Sequence, residues 1–241
     1  MPDTTFEHPR LAAVHDAHDG ARGDLEHHLD LAVELGARSV LDVGCGTGTF
    51  ALALAARGFT VTAIDPAAAS LDVARSKLGH EQVRWLHGTA ADLPALSVDL
   101  ATMTGNVAQE IVERAGWDET LEGIRRSLRR GGRLLFETRD PAFEGWREWN
   151  VDDSRRILDV DGAGLVESWV ELTEVDGPLV SFRRTYVFQL DGEVLTSDST
   201  LRFRTRDEVE ADLRDHGFNV TDVRDAPDRP GRELVFLARR G

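Results

Sequence analysis

Val40-Leu41-Asp42-Val43-Gly44-Cys45-Gly46-Thr47-Gly48 is the stretch on which the fold turns. Ser39 to Val43 is a short apolar run, the composition of a buried strand. Gly44 to Gly48 is a glycine-rich turn, and the Ala/Leu-rich segment Phe50 to Arg57 reads as a helix stopped by Gly58. A strand, a tight turn and a helix in direct succession set the free N–H groups of a helix start beside backbone that carries no Cβ. Open parallel sheets bind their ligands at such places, beyond the carboxyl ends of the strands.

The spacing of the glycines narrows the ligand. A dinucleotide fingerprint needs a third glycine three residues after the second. Thr49 stands there instead, and the third glycine comes one residue early, at Gly48. Asp42, two residues before Gly44, is poor company for a pyrophosphate and suits the cationic end of an aminoacyl group.

Outward from this stretch the chain alternates. Asp24 to Glu34 is an amphipathic helix ended by Gly36, preceded by Leu11 to Ala21, which reads as a short helix or an arm. Phe59 to Ile64, Val83 to Leu86, Val98 to Met103 and Arg133 to Glu137 are further strands. Ala67 to Leu78 and Asp118 to Arg130 are helices, the second closed by Gly131-Gly132. Alternating strands and helices imply a parallel sheet covered on both faces, and right-handed crossovers make it doubly wound and Rossmann-like.

The pattern changes at Pro141. Gly164 to Glu174, Leu179 to Leu190 and Glu193 to Arg204 read as three antiparallel strands, with turns at Val175–Pro178 and at Asp191-Gly192. A helix from Arg206 to His216, capped by Thr205, and two strands, Phe218 to Arg224 and Arg232 to Arg239, close the chain as an antiparallel hairpin on the main sheet. The expected organisation is a core with an N-terminal helical arm over 1–140, an inserted antiparallel β cap over 141–205, and a return to the core over 206–241. The cap holds Trp146, Trp149 and Trp169, three of five tryptophans, which could wall a pocket or form its own small core.

The 241 residues suffice for one large α/β core, and the net charge of −15 disfavours a nucleic-acid partner, which needs a basic surface. Cys45 is the only cysteine, so no intrachain disulfide forms, which fits a reducing cytoplasm. No apolar run reaches the ~20 residues of a membrane span, and no metal site is expected.

On Val40 to Gly48 the chain resembles the first motif, Asp-x-Gly-x-Gly-x-Gly, of class I S-adenosylmethionine-dependent methyltransferases, a likeness that extends over roughly Asp24 to Glu137. The resemblance implies S-adenosyl-L-methionine as cofactor and a donor site built from Asp42, Gly44, Cys45, Gly46 and Gly48. Asp65, with Pro66 after it, would hold the ribose, although the same carboxylate could cap the following helix. Ala91, Asp92 and Leu93 would lie at the adenine, and Thr104 and Gly105 at the methionine part. Gly20 to Asp24 is similar to a segment of small-molecule sugar-amine methyltransferases, in which Arg22 would pair with the donor carboxylate.

Methyl transfer from a sulfonium is an in-line displacement that needs alignment more than acid–base help. No catalytic residue is therefore obligatory. Glu137, Arg139 and His15 are the candidates, with Asp140 and His18 near them. The expected acceptor is a small molecule, and the cap could also build a homodimer face. Two other readings stay open at this point: a nicotinamide-dependent oxidoreductase, and a non-catalytic module that binds S-adenosylmethionine to regulate a partner.

Overall fold

A computed structural model describes residues 3–20 and 22–241; Ala21, within the Gly20–Asp24 segment, lies outside them. The main sheet has seven strands in the order β10-β11-β5-β4-β1-β2-β3. These are β1 (Ser39–Val43), β2 (Thr60–Asp65), β3 (Val83–His87), β4 (Val98–Met103), β5 (Leu128–Arg139), β10 (Phe218–Asp225) and β11 (Glu233–Arg240). The first five pair in parallel, and β11 is antiparallel to both β5 and β10. The chain steps from β1 outward to β3, then returns to the other side of β1 as β4. The order therefore reverses between β1 and β4, and a doubly wound sheet opens its crevice there.

Helices cover both faces. One core layer joins Leu41, Met103 and Phe136 to Trp117, Leu121 and Ile124 of α7 (Arg114–Ser127) and to Val209 and Leu213 of α9 (Arg206–Asp215). The other joins Val40, Val61 and Leu135 to Leu25 and Leu29 of α3 (Gly23–Glu34) and to Phe50 and Leu54 of α4 (Thr49–Ala56). A fifth helix, α5 (Ala68–Ser76), follows β2.

The cap is a separate antiparallel sheet of four strands, one more than the sequence suggested: β6 (Arg156–Val160), β7 (Gly164–Asp176), β8 (Leu179–Phe188) and β9 (Val194–Arg202). The extra strand, β6, is a short edge strand with Arg156 and Ile157 exposed, so its five residues show no clean alternation. Residues before it form short helical turns, ending in α8 (Val151–Ser154). A second difference lies after α7. The helix stops at Ser127 rather than at Gly131-Gly132, because Leu128 is already extended and pairs with Val98. Gly131, at φ +73°, then sits inside β5 where its register against β4 shifts.

The segment before α3 is folded. It forms α1 (Thr4–Glu7) and α2 (Pro9–Asp19), with Pro9 at the first helical turn, where its missing N–H costs nothing. Leu11 and Val14 of α2 pack on Val166, Tyr186 and Phe188 of the cap. The Thr5 N–H donates to Ser197 Oγ of β9 at 2.9 Å. Toward the core, Ser70 Oγ donates to the Phe6 carbonyl at 2.9 Å, and Asp16 pairs with Lys77 and accepts from Thr47. The arm thus bridges cap and core. No helix among the described residues is long and apolar enough to cross a membrane.

Candidate active site

The glycine turn leaves β1 at the reversal point. Gly44 and Cys45 both donate their N–H groups to the Ile64 carbonyl, at 2.9 and 3.2 Å, which locks the start of the turn to β2. Gly46, at φ +52°, donates to Asp65 Oδ2 at 2.7 Å, while Asp65 Oδ1 accepts from Ala67 N at 2.8 Å. A Cβ on Gly46 would meet no protein atom within 4 Å, so the turn faces open space there. Gly48, at φ +79°, is tight instead: a Cβ would lie 2.5 Å from Trp85.

Asp42 is buried beneath this turn. Its Oδ1 accepts from Thr102 Oγ1 at 2.9 Å, and its Oδ2 is buried without a partner. Burial, assisted by the nearby charge of Asp65, pushes its pKa up to about 7, against the opposing pull of Arg22. An unpartnered buried carboxylate oxygen is costly, and a cationic ligand group is what relieves it. A ligand bearing an ammonium at this point selects ionised Asp42, so below pH 7 a proton must first leave. Affinity for such a ligand is therefore expected to fall as pH drops through about 7, by up to roughly tenfold per pH unit. Calorimetry with S-adenosylhomocysteine between about pH 8 and about pH 5.5 reads this, and the Asp42→Asn variant should flatten the dependence.

Arg22 stands above Gly105: its guanidinium would lie 3.5 Å from a Cβ placed there. It is held by Asp24 at 2.6 Å and by Asp19 at 3.5 Å. Beneath Gly105, Glu137 accepts from the N–H groups of Gly105 and Asn106, the latter at 3.0 Å, and its Oε2 lies 2.9 Å from His28 Nε2. His28 Nδ1 lies 2.8 Å from the Asp24 carbonyl. Both ring nitrogens lie near acceptor oxygens, an arrangement that favours the doubly protonated imidazole. Burial alone would lower the His28 pKa and raise that of Glu137, but their mutual attraction reverses both. Glu137 is thus a positioning residue for the loop after β4.

The other sequence candidates fall as follows. Thr104 is buried next to Gly105. The Gly88 N–H donates to the Asp65 carbonyl at 3.0 Å, which brings the Ala90–Asp92 turn to the end of β2. Ala91 and Asp92 are exposed there and Leu93 is half-buried, but Asp92 Oδ2 accepts from Thr89 N–H and Oγ1, at 2.8 and 2.9 Å, and so caps its own turn. The Pro66 carbonyl lies 3.0 Å from His87 Nε2. Arg139 is half-buried between Gln109, at 3.1 Å, and Glu233, at 3.6 Å. Asp140 caps the turn after β5 by accepting from Ala142 N–H. His15 is half-buried 3.5 Å from Asp19, with burial lowering its pKa. Trp146 and Trp149 pack with Val180, Leu201 and Phe203 as the cap's own core, and Trp149 also lines the cavity beside Arg139. Trp169 donates to Glu171 at 3.0 Å outside that core.

One residue escaped the sequence. Glu110 ends α6 (Val107–Glu110), a helical turn too short to show periodicity. Arg204 fixes α6 by donating to the Ala108 and Ile111 carbonyls at 2.7 and 2.6 Å. Glu110 keeps accessible surface, while its carboxyl has protein close to it on several sides. Burial raises its pKa to about 7, with Asp3 adding to the effect and Arg139 and Arg184 opposing it.

This fold, with a glycine turn and two acidic residues at the reversal point, is a Rossmann-like scaffold. Over residues 40–132 the chain matches a family model described as a methyltransferase domain. It is 39% identical over 112 residues to the cypemycin N-terminal methyltransferase of a Streptomyces species, covering 45% of this chain and 44% of the relative. The chain spans about half or less of the length of the curated relatives it matches. Solved structures align along nearly all of it. An S-adenosylmethionine-dependent methyltransferase from Clostridium acetobutylicum gives a TM-score of 0.74 at 17% identity, covering 96% of this chain and 97% of that one. An amino pentose methyltransferase from Micromonospora echinaspora, solved with S-adenosylmethionine bound, gives 0.69 at 19% identity, covering 92% and 93%. S-adenosylmethionine fits the residues present: the open face at Gly46, the unpartnered Asp42 Oδ2 and the guanidinium of Arg22 at the Gly105 end offer complementary contacts for one ligand.

Proposed function

We propose that the protein methylates a small-molecule acceptor, with S-adenosyl-L-methionine as donor. The single observation that carries this reading is the convergence of three features at the sheet's reversal point: the open Gly46 turn, the buried Asp42 and the Asp65 carboxylate bonded to that turn. In this reading Asp65 holds the ribose with the lone pairs that Gly46 and Ala67 leave free, Asp42 faces the ammonium, and Arg22 faces the carboxylate. The Ala90–Asp92 turn borders the adenine. The bound donor supplies a methyl group already activated for displacement.

The chain's own residues then align, desolvate and manage a proton. The cap and the α1–α2 arm exclude water from the crevice. Glu137 fixes the Gly105–Asn106 backbone through two N–H groups. Where the acceptor has a proton to lose, Glu110, with a pKa of about 7, is matched to receive it near neutral pH. The cap's outer face, which exposes Ile157, Leu165 and Val194, is the surface we assign to a homodimer, and the absence of disulfides fits a cytoplasmic site.

Asp65→Ala tests the reading directly. Its expected effect is a loss of about 1–3 kcal/mol in S-adenosylhomocysteine affinity, from hydrogen bonds to the ribose hydroxyls. Calorimetry measures it, and unchanged affinity in a folded variant refutes the ribose assignment. Donor binding without turnover on a broad panel of amines, hydroxyls and carboxylates would favour the regulatory-module reading instead.

A further inference from the structure

The inner face of the cap carries a cationic cluster that the donor site does not use. Alternation along β8 places Val180, Arg184, Tyr186 and Phe188 on one face, and Val180, Tyr186 and Phe188 are fully buried. Arg184 is therefore turned inward, and its cross-strand neighbour Ser197 is buried against the Thr5 N–H of α1. Arg156 of β6 stands opposite Ser168, which stands opposite Tyr186, so it belongs to the same face at its rim. On α2, His15 and His18 continue the stripe begun by Leu11 and Val14, the residues packed on this face.

These four groups sense one another. The charges of Arg184 and Arg156 act on each other and on His18, and that of Arg184 also reaches His15 and Glu110. His18 is 1% exposed, edge-on to the Tyr186 ring at 5.2 Å, with Nε2 buried and unpartnered. Among the described residues, neither Arg184 nor Arg156 makes a salt bridge. Of the acids near the cluster, Asp16 is held by Lys77 and Thr47 and Asp19 by Arg22 and His15, and Glu110 makes no salt bridge to either arginine. In a chain of net charge −15, two arginines that share a face and make no salt bridge form a local exception. Guanidinium groups on one face that lack a carboxylate partner gain from a shared oxyanion, which both can fork onto.

We propose that Arg184 and Arg156 form an anion-binding subsite in the roof of the acceptor chamber, so that the methyl acceptor carries a carboxylate or phosphoryl group. The inference rests on the methyl-transfer reading for the word acceptor, while the subsite itself is tested without turnover. Protein saturated with S-adenosylhomocysteine is crystallised and soaked in selenate, and the same complex is titrated with inorganic phosphate and with acetate by calorimetry. The expected result is an anomalous peak between the two guanidinium groups. Phosphate or acetate affinity should fall at least tenfold in Arg156→Met/Arg184→Met and be largely kept in Arg184→Lys, with S-adenosylhomocysteine affinity unchanged in both. The stronger of the two titrants tells a phosphoryl from a carboxylate acceptor. Selenate absent from the roof, or anion affinities equal in wild type and the double methionine variant, overturns the subsite. Failure of the wild type to bind S-adenosylhomocysteine overturns the methyl-transfer reading instead, whatever the selenate does.

Discussion

Glu137→Ala is expected to cost about 3–5 kcal/mol of folding stability, the range for removing one partner of a buried ion pair. His28 would be left with a proton on each nitrogen and only the Asp24 carbonyl to receive one, while the Gly105 and Asn106 N–H groups would lose their acceptor. Glu137→Gln should be far milder. Its amide oxygen still accepts from the loop, its NH2 can donate to a neutral His28 Nε2, and no charge is stranded. Chemical denaturation at neutral pH measures both losses, and nitrogen NMR should show His28 cationic in wild type and neutral in Glu137→Gln. The pH dependence follows from the two shifts. The folded pKa of His28 is raised, so its contribution is complete below its unfolded value and is lost as pH rises through the folded one. That of Glu137 is lowered, so its contribution is complete above its unfolded value and is lost as pH falls through the folded one. Equal losses in the alanine and glutamine variants would show that the pair contributes packing rather than charge.

Gly48→Val is the second large effect. The new Cβ would lie 2.5 Å from Trp85 and 2.9 Å from Ala74, in a backbone conformation at φ +79° that a β-branched residue strongly resists. Strain and overpacking together should cost about 2–5 kcal/mol, read as a lower denaturation midpoint. Gly46→Ala provides the contrast. Its φ is also positive, but its Cβ meets no protein atom within 4 Å. Folding should survive with a loss of about 1 kcal/mol, whereas S-adenosylhomocysteine affinity should fall at least tenfold, because the methyl occupies the space a ligand needs. If Gly46→Ala bound the ligand normally, the open face of the turn would not be the donor's.

The parallel sheet is legible in the sequence because its strands are short and largely apolar, and β1 and β2 are each followed directly by a helix with its own stop signal. Asp42 and Asp65 stand out as candidates for a related reason: an acid at the end of an apolar strand invites a partner, which for Asp65 includes the Gly46 and Ala67 N–H groups. What stays hidden is tertiary. The commitment of Glu137 depends on His28, 109 positions earlier on the buried face of α3, and no local pattern joins them. Asp92 looks like a free acceptor until its turn closes and Thr89 takes one of its oxygens. Glu110 has no periodicity around it, and its shifted acidity comes from desolvation and from Asp3, Arg139, Asp65 and Arg184, all distant in sequence. The cap strand β6 was obscured because an edge strand buries too little to write an alternating pattern.

The place of β11 has a consequence for how the molecule assembles. It follows every other strand in chain order, yet it lies between β5 and β10, with Val235 and Phe236 wholly enclosed. The α1–α2 arm is in a similar position, since Thr5 finds Ser197 only across 192 residues. During synthesis the ribosome would release the arm first and its docking surface much later, leaving Leu11 and Val14 wet in the meantime. Such distant pairings slow folding and leave apolar surface open to aggregation, so the nascent protein should depend on chaperones until β11 slots home.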